Sequence, residues 1–76
     1  MEIDKVLEFA RNSFVDARIE LDKVICTDRY AIRVQKNSCK LLYKPLHKTY
    51  YTSFSKSILS YRECVKILHK IVLQEW

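Results

Sequence analysis

The chain of 76 residues contains no glycine. Glycine is the residue that adopts positive φ without steric cost and lets a ligand approach the backbone closely. Phosphate-binding loops, dinucleotide fingerprints and nucleophile elbows depend on such positions, so these chemistries are excluded. Tight hairpin turns also favour glycine, so a turn in this chain must be built from other residues, such as asparagine.

The length allows one small domain, residues 1–76, with a single hydrophobic core. Nearly half of the residues are hydrophobic, at 49%, which favours a folded protein over a disordered one. A deep catalytic pocket would have to be taken out of that small core. We therefore expect a protein that is not an enzyme, needs no cofactor and acts by binding a larger molecule with its surface.

Three cysteines, Cys26, Cys39 and Cys64, are widely spaced and include no CxxC pair. The odd number and the spacing favour neither a disulfide framework nor a zinc site, and His47 and His69 complete no known ligand spacing. We expect buried thiols and no metal. Acidic residues interrupt the first eight positions where a secretory signal needs an apolar run, and no window of about 18 residues is uncharged. These features predict a cytoplasmic protein that does not span a membrane.

Charge is distributed unevenly along the chain. Residues 1–28 carry seven acidic against four basic residues, whereas residues 29–76 carry ten basic against two acidic residues. The net charge of +5 therefore conceals one strongly basic part. Such a part attracts acidic protein surfaces or nucleic acids, and charge by itself does not choose between them.

The N-terminal segment has apolar residues at alternating spacings of four and three, the period of an amphipathic helix. This pattern predicts a long first helix that ends between Arg18 and Lys23, with an alternative break at Asn12–Ser13. We expect its seam to pack on the sheet of the same chain, and the alternative is a homodimer through this helix. The seam comprises Ile3, Leu7, Ala10, Phe14, Ala17, Leu21 and Val24.

After Asp28 the apolar period changes to two, which is typical of half-buried strands. Residues 30–35 and 39–44 predict a hairpin turning at Asn37–Ser38, where asparagine tolerates positive φ. This register sets Val34 opposite Leu41 and Ile32 opposite Tyr43. A third strand is expected from Lys48 to about Phe54.

The last segment is again helical. Ser55 or Ser57 can cap it, whereas Ser60 with Glu63 forms a capping box, so the helix is expected to begin between Ser55 and Ser60. The predicted fold is α+β in two layers, of order α-β-β-β-α. A three-stranded antiparallel meander packs on the N- and C-terminal helices, and a short extra strand is an alternative near Val24.

This element order resembles that of the double-stranded RNA-binding domain. The family contacts RNA through a glycine-containing loop and a run of lysines that opens its last helix. The corresponding stretch, residues 53–58, has a single lysine, Lys56, and no glycine. The resemblance therefore covers the order of elements alone.

Basic and aromatic residues alternate on the predicted sheet face that the helices leave uncovered, with Tyr30, Tyr43 and Tyr51 expected on the covered face. Such a mixture suits an acidic protein surface or single-stranded nucleic acid. We expect a regulator, inhibitor or accessory subunit that binds a larger protein or ribonucleoprotein with an acidic surface. In size and style the chain resembles small proteins that phages and mobile elements encode to bind host machinery. The alternative is an RNA- or DNA-binding module. The predicted contact residues are Arg33, Lys40, Lys44, Lys48, Tyr50 and Phe54 on the sheet, or Arg62, Lys66, Lys70 and Leu73 on the last helix.

Overall fold

A computed structural model describes residues 2–74 as a two-layer α+β fold, as predicted. Five antiparallel strands form a meander in chain order, where three were expected, and the helices α1 and α2 pack on one face of the sheet. The elements are α1 (Ile3–Ala10), β1 (Arg18–Glu20), β2 (Lys23–Ile25), β3 (Tyr30–Val34), β4 (Cys39–Tyr43), β5 (Thr52–Ser53) and α2 (Tyr61–Gln74).

The prediction of a long first helix was wrong, because α1 ends at Ala10 and a turn follows at the alternative break. The rest of the predicted helix forms the hairpin β1–β2, in which Glu20 pairs with Lys23. Leu21, placed on the apolar seam by its spacing, is 89% exposed at the turn of this hairpin. Ile19 and Val24 are β-branched and pair with each other, which suits a strand better than a helix.

Without glycine, two bulky residues occupy left-handed backbone conformations. Leu21 has φ 57° at the β1–β2 turn, and His47 has φ 66° in the segment between β4 and β5. This region costs about 1–2 kcal/mol for an L-residue other than glycine. The fold therefore accepts local backbone strain at both turns.

The predicted hairpin of β3 and β4 is present, but its turn lies at residues 36–37 and not at Asn37–Ser38. The Gln35 amide donates to the Ser38 carbonyl at 2.8 Å, which closes the turn, and Asn37 does not take positive φ. Because the turn moves by one residue, the pairing of the two strands shifts by two positions. This shift leaves every side chain on its predicted face, since side chains alternate with a period of two. The pairs are Tyr30–Tyr43, Ile32–Leu41 and Val34–Cys39, where the prediction set Val34 opposite Leu41 and Ile32 opposite Tyr43.

The main core lies between the sheet and the two helices. The apolar side of α1 packs inward on the chain itself, as expected, and buries the seam residue Ala10 and the neighbouring Val6 completely. Helix α2 begins directly after Ser60 and contributes Cys64, Val65 and Leu68 to the same core. The helical layer thus covers one face of the sheet and leaves the other to long side chains.

Candidate docking surface

The sheet face opposite the helices is called the open face. Its centre is a small apolar cluster of Ile25, Ala31 and Leu42, which are almost fully buried although no helix covers them. Tyr51 packs against this cluster. Because the apolar centre is already covered, the surface offered to a partner consists mainly of the polar side chains around it.

Three cations stand side by side across the open face and are called the cation row: Lys23 on β2, Arg33 on β3 and Lys40 on β4. Lys23 pairs with Arg33, and Arg33 pairs with Lys40. Directly paired residues have Cβ atoms about 4.5–5.5 Å apart, and like charges at such positions destabilise a sheet. The row is therefore an unfavourable arrangement for the isolated chain.

Few carboxylates compensate the cation row. Asp22 Oδ2 lies 3.4 Å from Arg33 Nε, yet this buried nitrogen makes no hydrogen bond. Glu20 on β1 stands directly opposite Lys23, but its carboxylate forms an ion pair with Arg18 at 3.0 Å. Within residues 2–74, no carboxylate lies within ion-pair distance of Lys23 or Lys40. The row therefore retains excess positive charge.

Arg33 and Lys40 were predicted on this face, whereas Lys23 was missed because it was assigned to the end of the first helix. Its strand character has a signal in the sequence. Polar and apolar residues alternate in Arg18-Ile19-Glu20, and the β-branched pair Val24-Ile25 follows Lys23.

Tyr51 lies on the open face, so the prediction that it faces the helices was wrong. Its hydroxyl donates to the carbonyls of Thr27 and Asp28, at 3.4 and 3.3 Å. Burial raises the pKa of the phenol, and the negative charge of Glu20 adds to the shift. Lys44, predicted on this face, is found there, with its Nζ 5.0 Å from the centre of the Tyr51 ring.

Phe54 does not belong to the open face, contrary to the prediction. Its ring contacts those of Tyr43 and Tyr30 edge to face, with centroids 5.6 and 6.3 Å apart, on the side of the helices. The cause is a change of register by one residue. Thr52 pairs with Tyr43 and therefore lies on the side of the helices, which reverses the faces expected for Tyr51 and Phe54.

The predicted third strand from Lys48 is reduced to Thr52–Ser53. Lys48 and Tyr50 lie in the connection before it, where both are exposed. They belong to neither face of the paired strands. The structure therefore does not bring these two predicted contact residues into the cation row.

The basic residues of α2 form a separate surface on the helical layer. Arg62, Lys66, Lys70 and Leu73 are exposed there, and the Arg62 guanidinium lies 5.7 Å from the centre of the Phe9 ring of α1. The sheet separates this surface from the cation row. The predicted contact residues thus fall on opposite layers and do not form one site.

The three cysteines are free thiols buried in the main core, as expected. Within the part of the chain that the structure describes, no three His, Cys, Asp or Glu side chains are placed to hold a metal ion. That same part contains no helix with the length and apolar character needed to cross a bilayer.

No family model, curated protein or solved structure matches the chain. Functional inference therefore depends on the geometry of its surfaces. Of those surfaces, the cation row is the one in which like charges occupy directly paired strand positions.

Proposed function

We propose that this chain is a small binding protein, without enzymatic activity, that docks its open face onto an acidic surface of a larger protein and acts as a regulator, inhibitor or accessory subunit. The single observation that supports this is the cation row, in which Lys23, Arg33 and Lys40 occupy directly paired positions on three neighbouring strands.

An acidic partner would relieve the repulsion within the row. Like charges directly opposite each other cost a few tenths to about 1 kcal/mol per pair in a sheet. Carboxylates of a partner placed over the row would convert this repulsion into attraction and would speed up encounter between the two molecules. Arg33 adds specificity, since a guanidinium can bind a carboxylate through two parallel hydrogen bonds.

A protein partner is favoured over nucleic acid because of where the aromatic rings lie. Single-stranded nucleic acid needs exposed rings on which its bases can stack. Phe54 lies on the other side of the sheet, and Tyr51 has its hydroxyl engaged and Lys44 above its ring. The open face therefore offers cations without a free stacking platform.

We place this activity in the cytoplasm, in line with the three free cysteines, because reducing compartments keep thiols from forming disulfides.

The test compares two variants with the same change in net charge. Lys23→Glu with Lys40→Glu reverses the cation row, and Lys66→Glu with Lys70→Glu reverses the surface of α2. Tagged protein is cross-linked in cells of the source organism, and its captured partner is identified by mass spectrometry and then titrated as a purified protein. We expect wild type and the α2 variant to bind it alike, and the row variant to lose at least tenfold in affinity.

Melting temperatures within a few degrees of wild type show that both variants fold. Equal loss in both variants would mean that net charge alone drives binding, and loss in the α2 variant alone would place the site on α2. A gel shift with single- and double-stranded oligonucleotides covers the other class of partner. The gel shift is repeated over a series of salt concentrations. Tight binding to duplex DNA, with log affinity falling against log salt concentration by about 0.9 per neutralised phosphate, would replace the proposal by nucleic-acid binding.

A further inference from the structure

Two of the buried thiols lie against each other in the core. Cys39 Sγ on β4 and Cys64 Sγ on α2 are 3.1 Å apart, within a sulfur hydrogen bond, and both residues are 0% exposed. A disulfide bond is about 2.05 Å long. The two sulfur atoms are therefore about 1 Å from bonding distance, although 25 positions separate the residues in sequence.

We propose that Cys39 and Cys64 form a redox modification site, which a low-molecular-weight disulfide such as oxidised glutathione converts into an intramolecular disulfide between β4 and α2. This inference does not depend on the docking function proposed above.

The reaction is a double thiol–disulfide exchange. One cysteine thiolate attacks a sulfur of oxidised glutathione, the glutathione S–S bond breaks, and one glutathione leaves as a thiolate. The second cysteine thiolate attacks the protein sulfur of this mixed disulfide and releases the second glutathione. The two protons lost by the protein thiols end on two glutathione molecules, so the protein is oxidised and glutathione is reduced.

Access requires a local opening, since neither thiol is exposed. Cys64 lies in the first turn of α2, and the preceding segment is held to β4 by two backbone hydrogen bonds between Cys39 and Ile58, both 2.8 Å. Burial raises the pKa of both thiols, so in the closed state they stay protonated and unreactive. Lifting the segment from Ile58 to Cys64 exposes both without unfolding the sheet. Oxidation is therefore slow and accelerates when this segment opens.

Cys26 provides an internal control. Its thiol is also buried, but its sulfur contacts the Val24 carbonyl at 3.8 Å and not another cysteine. Burial raises its pKa from 9.0 to about 12. It should remain a thiol when the other two are oxidised.

The disulfide should stabilise the fold because it closes a long loop in the unfolded chain. For a loop of this length the expected gain corresponds to a rise in Tm on the order of 10 °C. The same bond ties α2 to the sheet, so it removes the opening through which it formed.

The experiment incubates the purified protein with oxidised glutathione, alkylates remaining thiols under denaturing conditions, and measures the intact mass and the cross-linked peptides. We expect one alkylated thiol per chain, a Cys39–Cys64 peptide, a higher Tm, and faster oxidation in dilute urea. Cys26→Ala should behave in the same way with no alkylated thiol, and Cys64→Ala should form no intramolecular disulfide.

Three alkylated thiols after prolonged incubation would overturn the proposal, as would a link that involves Cys26. A stable glutathione adduct on Cys39 or Cys64 in wild type would also overturn it, because it would show that the second exchange does not occur. Peptide mapping of the wild type shows which cysteines are linked, so the proposal is tested even if the Cys64→Ala variant does not fold.

Discussion

The two faces of the sheet are stabilised in different ways. The covered face buries large apolar side chains from the strands under two helices. Among residues 2–74, the open face buries a small cluster of Ile25, Ala31 and Leu42, with Tyr51 packed against it. On the covered face, local sequence preference and packing agree. On the open face, three like charges occupy directly paired positions, an arrangement that destabilises a sheet. Residues that lower the stability of their own fold are concentrated at functional surfaces. This supports our proposal that the open face is the docking site.

The largest expected difference between the faces concerns two leucines with no exposed area, Leu68 in α2 and Leu42 in β4. Leu68→Ala should lower the free energy of unfolding by about 4 kcal/mol, because it leaves a cavity between closely packed layers. Leu42→Ala should lower it by about 2 kcal/mol. No helix covers this face, so the surrounding side chains can move into the cavity or water can enter it. Urea denaturation measures both. Equal losses would contradict the expectation that a cavity is less costly on the open face than between the sheet and the helices.

Alkaline pH separates the titratable groups of the two faces. Burial raises the pKa of Cys26 in the covered core from 9.0 to about 12, so the folded state keeps a proton that the unfolded chain loses. The contribution of this thiol to the free energy of unfolding is fully present below pH 9. It falls by about 1.4 kcal/mol per pH unit as the pH rises from 9 toward 12. At pH 10.5 its contribution is a loss of about 2 kcal/mol.

Urea denaturation at pH 8, 9.5 and 10.5 measures this effect, and Cys26→Ala should fall less steeply than wild type. Burial raises the pKa of Tyr51 on the open face above its ordinary value of 10.0, so its contribution begins about one pH unit higher than that of Cys26. Tyr51→Phe should therefore leave the decline between pH 9 and 10 unchanged. A stability that stays constant from pH 8 to 10.5 would refute the assignment.

The hydroxyl of Tyr51 makes a smaller contribution. Tyr51→Phe keeps the ring on the apolar cluster and removes the hydrogen bonds to the Thr27 and Asp28 carbonyls, which are long, so about 0.5–1 kcal/mol should be lost. Tyr50→Phe, at an exposed position, is the control and should change stability by less than about 0.5 kcal/mol. Thermal denaturation of the two variants, measured in parallel, decides the point.

The smallest predicted effect is a gain. Lys40→Glu places a carboxylate opposite Arg33 and should raise the free energy of unfolding by a few tenths to about 1 kcal/mol at low salt, with most of the gain screened at 1 M salt. Lys56→Glu makes the same charge change in the loop before α2 and should have no comparable effect. If Lys40→Glu is destabilising at low salt, the cation row is not a site of repulsion. The proposed function adds that this more stable variant binds its partner more weakly.

Periodicity predicted the elements that later pack on one another, but not where the first helix ends. The spacing of four and three continued past Ala10 through Leu21, although Leu21 sits at a hairpin turn. Spacing records which residues are apolar, and a turn between two short strands can reproduce helical spacing over a few residues. The alternation in residues 18–20 and the β-branched residues around position 24 favoured strands over a helix. Packing of this segment against the core stabilises the strands.

The candidate site was predictable in part for the same reason. The faces of Arg33, Lys40 and Lys44 followed from alternation along β3 and β4. They were unaffected by the displaced turn because the pairing shifted by two positions, which is the period of a strand. Tyr51 and Phe54 exchanged faces because the short strand β5 between them is displaced by one residue. Lys23 could not be placed next to Arg33 without the correct partner for β2.

The amino-acid pattern alone determined that this chain forms a two-layer α+β fold with a basic surface, since apolar period and charge are local properties of the sequence. Only the tertiary structure decided that Lys23, Arg33 and Lys40 stand in one row and that Cys39 meets Cys64. Both results depend on strand register and on how a helix docks, which are set by contacts between residues far apart in the chain.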